Sequence, residues 1–186
     1  MVKHRVASRS LYLPVTVAAC ALAAATMSCG PTSTLPGTAL GTYNVTGTLG
    51  TNTCGSSLGA PSPWNFTVQM SEDGTTFYWD PSTGTELSST MASTTKVSIA
   101  STATANVDST DAGVEGPCDL SSSTSINLTL AADSPPSSFS GSIVYTFAAS
   151  TGASSTTDCT DQLAASGGPY TTLPCTASYT ITATHQ

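Results

Sequence analysis

From Tyr43 onward, apolar residues recur at every second position. Tyr43, Val45, Gly47 and Leu49 alternate with Asn44, Thr46 and Thr48, and Trp64, Phe66, Val68 and Met70 alternate with Asn65, Thr67 and Gln69. This two-residue period predicts half-buried β-strands. Ser71-Glu72-Asp73-Gly74 reads as a hairpin turn, with a return strand over Thr75–Asp80. A short strand follows around Leu87. A long one puts Val97, Ile99, Ser101, Ala103, Ala105 and Val107 on one face. Ile126, Leu128 and Leu130 share a face, as do Phe139, Gly141, Ile143, Tyr145 and Phe147. The last strand presents Cys175, Ala177, Tyr179, Ile181 and Ala183. No helical period occurs in this part of the chain.

Eight short strands separated by turn signals predict an all-β domain. The expected form is an eight-stranded antiparallel up-and-down barrel, with a β-sandwich as the alternative. In a sequential meander the tight turns at 71–74, 92–94 and 133–136 gather at one end. The long loops at 50–63, 108–118 and 148–174 gather at the other. A closed barrel would set the first strand beside the last and remove the sheet's edges.

The other apolar pattern is a continuous run. Leu11 to Met27 spans 17 residues without charge, after Lys3, Arg5 and Arg9. A basic start, an apolar stretch and a small-residue boundary make an export signal. The run is short of the roughly 20 residues a membrane span needs, and Pro14 interrupts it. Its end resembles a bacterial lipoprotein signal, in which a small or aliphatic triplet precedes a cysteine that becomes acylated. Cys20 follows Val17-Ala18-Ala19, a good match to that triplet. Cys29 follows Thr26-Met27-Ser28, which matches only at Ser28. Position and parity favour Cys29. Cleavage there uses the whole apolar run, discards Cys20 and leaves Cys54, Cys118, Cys159 and Cys175, an even set for disulfides in an oxidising compartment. The meander favours Cys54–Cys175 with Cys118–Cys159; the rival is Cys159–Cys175 with Cys54–Cys118. The expected organisation is a signal peptide over 1–28, a lipidated N-terminus and linker over 29–41, and a β domain over 42–186.

Loss of the leader changes the charge. The full chain carries −7. Lys96 is the only Lys or Arg after residue 28, against 11 acidic residues, so the remainder carries 1 − 11 = −10. One cation cannot neutralise a row of phosphates or hold an anionic membrane surface, so nucleic acid is excluded as a partner and membrane attachment falls to the lipid. Ser and Thr supply the outward positions of the strands, where β-branched Thr suits a pleated surface.

Candidate chemistry is sparse. His4 lies in the leader and His185 is the penultimate residue, expected in a frayed tail, so a Ser–His or Cys–His nucleophile has no base. Catalytic residues: none are assigned, and the chain is read as not an enzyme. Glu72, Asp73 and Asp80 near Trp79 could form a glycosidase pair only if two of them faced each other across a cleft. Asp108, Asp111, Glu115 and Asp119 are oxygen ligands on an expected loop and form a Ca²⁺ candidate, although their spacing is not that of an EF-hand. No cofactor is implied. Trp64, Phe66, Tyr78, Trp79, Tyr145 and Phe147 either fill a barrel core or line a ligand cavity.

In layout the chain resembles the small cysteine-containing lipoproteins of high-GC bacteria such as myxobacteria. Its architecture is similar to lipocalin-like meanders, with Gly41-Thr42-Tyr43 where a lipocalin carries Gly-x-Trp. That resemblance covers architecture alone, since Tyr replaces Trp and no Arg remains for the last strand. These features imply an exported, envelope-anchored module, held at the outer membrane by its lipid. The primary expectation is a non-enzymatic structural or interaction role; the alternative is a calycin-like binder of a small apolar ligand.

Overall fold

The computed structural model describes residues 35–82, 84–107, 118–150 and 159–186. The acylation candidates Cys20 and Cys29, and the loop acids Asp108, Asp111 and Glu115, lie outside them. Ser33–Gln186 forms a compact unit by itself. It is all-β: β1 (Thr38–Asn52), β2 (Trp64–Asp73), β3 (Thr76–Pro81), β4 (Leu87–Thr90), β5 (Lys96–Asn106), β6 (Asp119–Leu130), β7 (Ser138–Ala149) and β8 (Cys175–His185). Every neighbouring pair is antiparallel, in the order β4-β3-β2-β1-β8-β7-β6-β5. The sheet curls into a nearly closed eight-stranded up-and-down barrel, with β1 paired to β8 as the meander predicts. No helix among the described residues is long and apolar enough to cross a membrane.

The alternation sets the core. Inward positions carry Tyr43 and Val45, Val68 and Met70, Phe77 and Trp79, Val97 and Ile99, Ile126 and Leu128, and Tyr179 and Ile181, all buried. Burying one such side chain contributes about 1.5–3 kcal/mol. Most of these residues fill the half of the barrel nearer the tight turns, while Trp79, Ile126 and Tyr179 also border the cavities described below. A separate cluster at the loop end contains the four cysteines with Leu120 and Tyr170.

Two expectations about the termini are corrected. The strand region starts at Thr38, four residues before the expected boundary at 42, and Leu40 is buried in the core. The Pro/Gly/Thr composition hid this, and so did a bulge between Ala39 and Gly41 that breaks the alternation. Gly41 takes φ +121°, and a Cβ there would overlap the His185 ring. His185 is no frayed tail. It closes β8, its backbone N–H donates to Ser137 at 3.0 Å, and its ring meets Tyr43 edge-on at 5.1 Å.

Candidate binding cavity

The barrel is not full along its whole length. On β5, Val97 and Ile99 are buried, yet Ala103 and Ala105, which share their face, are exposed. The neighbouring strand explains this. β4 has only four residues against eleven in β5, and no hydrogen-bonded ladder joins the two. β3 also stops at Pro81, level with Val68 in the middle of β2. Toward the loop end, therefore, no described strand fills the wall between β3–β4 and β5, and among the described residues the interior opens sideways.

Behind this gap lies a cavity of about 320 Å³. Trp64, Phe66 and Trp79 line one wall; Ser101, Ser122 and Thr124 line another; Ile126, Ile143 and Tyr145 are also in its lining. Pro81, Gly84 and Leu87 border the gap on one side and Ala103 on the other. The alternation builds the aromatic wall: Trp64 and Phe66 are two apart on β2 and stack at 4.4 Å, and Phe66 meets Trp79 on β3 edge-on at 6.4 Å. Gly47 of β1 faces Trp64 and Tyr179, and a Cβ there would lie 3.4 Å from each ring. A second cavity of about 260 Å³ lies beneath Leu58–Pro61 of the β1–β2 loop. It is lined by Phe147, Ala177 and Tyr179 and shares Trp64 and Tyr145 with the first. The centroids of these two shared rings are 6.2 Å apart.

Among the described residues, neither lining contains Asp, Glu, Lys, Arg or His. Its titratable groups are tyrosines. Burial pushes the Tyr145 phenol above its ordinary value, helped by neighbouring Tyr179, and burial raises Tyr179 as well. Both are neutral hydroxyls at physiological pH. No hydrogen bond joins either hydroxyl to another described residue.

The loop end is tied by two disulfides. Cys54–Cys175 links the loop after β1 to the first residue of β8, with 4.9 Å between Cα atoms. Cys118–Cys159 links the residue before β6 to the β7–β8 connection at 4.8 Å. That connection carries short 3-10 turns at Thr160–Gln162 and Ala164–Ser166. It also holds a parallel bridge between Leu163 and Tyr170, and Tyr170 packs on Phe147 at 5.2 Å.

The other candidates do not assemble. Glu72 and Asp73 sit at the β2–β3 turn, and Asp80 occupies the position on β3 between inward Trp79 and Pro81, so none faces another across a cleft. Of the Ca²⁺ candidates only Asp119 is described. It starts β6 and accepts a hydrogen bond from the Asn106 amide at 2.9 Å. Among the described residues no three acidic, His or Cys side chains gather in a metal-binding group. The six aromatics divide: Trp79 is core, Trp64, Phe66, Tyr145 and Phe147 are half-buried cavity walls, and Tyr78 alternates with them on the outer face of β3. The signal for the cavity was present in the sequence. Small residues hold the inward positions of β5 and β6 at Ser101, Ala103, Ser122 and Thr124, opposite a run of large rings.

No protein-family model, no curated protein and no solved structure matches this chain.

Proposed function

We propose that this chain is an exported, lipid-anchored, non-enzymatic envelope protein whose barrel binds a small, largely apolar ligand. The observation that carries this reading is the cavity behind the β4–β5 gap. A cavity of about 320 Å³ falls within the size range of small-molecule sites, and its walls combine aromatic surface with a few hydroxyls in the way such sites do. Of the two roles the sequence left open, a filled barrel would have favoured a purely structural or interaction module, whereas a hollow one favours a binder. The described residues of the lining offer aromatic faces and hydroxyls, which suit the binding of a ligand.

Export and anchoring rest on the leader. Disulfides are the state expected of cysteines outside the reducing cytoplasm. Acylation at Cys29, with Cys20 as the alternative, would place the protein at the outer membrane. β1 begins at the tight-turn end of the barrel, and the long loops lie at its other end.

Native mass spectrometry of the protein isolated from its own envelope tests both halves. The expected chain starts at Cys29 with a diacylglyceryl group and carries a bound small molecule that leaves on activation. An unmodified chain starting near Thr26 would contradict the anchor. A protein that never carries a small molecule, and takes none from an extract of the envelope, would contradict the binding role.

A further inference from the structure

This inference rests on the ligand-binding reading and concerns what the ligand must be. We infer that the barrel selects an uncharged, flat-faced molecule, held against Trp64, which lines both cavities. Charge is the first argument. Among the described residues neither lining contains an ionised side chain, and the only Lys or Arg after the leader, Lys96, starts β5 at the opposite end of the barrel and is exposed. An ionic ligand would leave water with no counter-charge to meet it, and burying an unpaired charge is strongly unfavourable. Shape is the second. Trp64 and Phe66 present a stacked pair of rings along one wall, and Trp64 with Tyr145 borders both cavities. Flat rings favour offset or edge-on contact with another ring, so a planar apolar face gains most at this wall. Polarity is the third. Ser101, Ser122 and Thr124, with the unpaired hydroxyls of Tyr145 and Tyr179, can satisfy neutral donors or acceptors on the ligand.

The chain supplies its own reporter. Its two tryptophans, Trp64 and Trp79, both line the larger cavity, so energy transfer from tryptophan to a naphthyl probe reports occupancy of this site. N-phenyl-1-naphthylamine and 1-anilinonaphthalene-8-sulfonate share a skeleton and differ by one negative charge. With Ser33–Gln186, which is compact by itself and contains both disulfides, the neutral probe is expected to bind at least about tenfold more tightly than the sulfonate. Trp64→Leu, with Trp79 kept as donor, should weaken the neutral probe by about tenfold or more. Ala103→Lys places a cation at the exposed rim of the gap, where misfolding is not a risk. It should tighten the sulfonate severalfold relative to the neutral probe, and an unchanged ratio of the two affinities would overturn the inference. Equal affinity for both probes, tighter binding of the sulfonate, or a folded Trp64→Leu protein with undiminished affinity would overturn the inference while sparing the binding role. Failure of both probes to bind would overturn the two together.

Discussion

Tyr43 shows how one side chain closes the barrel's tight-turn end. It is fully buried, packs on Phe139 at 5.3 Å, and its hydroxyl donates to the carbonyls of Pro136 at 2.7 Å and Leu40 at 3.1 Å. Burial, with the nearby Asp133 carboxylate, pushes its pKa from 10.0 up to about 12. The folded state therefore holds a proton that the unfolded chain releases first. The resulting stability is complete below pH 10 and is lost as pH rises toward 12. Tyr43→Phe should cost about 1–3 kcal/mol at neutral pH, since it leaves buried carbonyls short of a donor. It should also flatten the decline in stability above pH 10; denaturant titrations near neutrality and at about pH 11 check both. A second pair of residues separates core from cavity wall. Phe77 is fully buried, so Phe77→Ala should cost about 3–5 kcal/mol. Phe147, which the two-residue period places on the same inward face, is half-buried beside the smaller cavity, and Phe147→Ala should cost clearly less. Equal losses by the same titration would mean that Phe147 is packed as tightly as Phe77.

At the scale of elements, the contrast between β4 and β5 matters most. Eleven residues of β5 pair in full with β6, but β4 reaches only from Leu87 to Thr90. The sequence announced β5 through a long alternating run and β4 only through Leu87. Their mismatch in length is legible once both are placed, yet the gap depends on where β3 ends, which is a matter of register. At the loop end, where neighbouring strands leave this wall open, the disulfides hold the rim. Cys54–Cys175 ties the ends of β1 and β8 across 121 residues of chain, and constraint of the unfolded state grows with the loop that is closed. Replacing both cysteines by Ala should therefore cost about 2–4 kcal/mol. Non-reducing peptide mapping should recover Cys54 linked to Cys175 and Cys118 linked to Cys159. A Cys159–Cys175 peptide would require the rival pairing and a rearranged loop end.

For the whole molecule, strand positions, antiparallel order and the β1–β8 pairing could be read from the spacing of Tyr43, Phe66, Ile99, Ile143 and Tyr179, because a two-residue period states which face each residue takes. It does not state whether side chains facing one another actually meet. Around Phe77 and around Ile181 they do, and both are fully buried in the core. Ser122 and Trp64 leave space between them, and the same alternation describes both cases. The early start of β1 was hidden for a different reason, the bulge at Gly41 that shifts Leu40 out of phase with Tyr43. The central claim is that the barrel is packed toward the tight turns and hollow toward the loops. Ser122→Leu tests it directly, because Ser122 sits mid-strand between Ala103 and Phe147 and points into the larger cavity. Thermal unfolding should then occur at an unchanged or higher temperature, because added methyl groups fill existing space, and the same protein should lose its affinity for N-phenyl-1-naphthylamine. A destabilisation of about 1–3 kcal/mol, the usual cost of forcing extra atoms into a full core, would show that there is no hollow to fill.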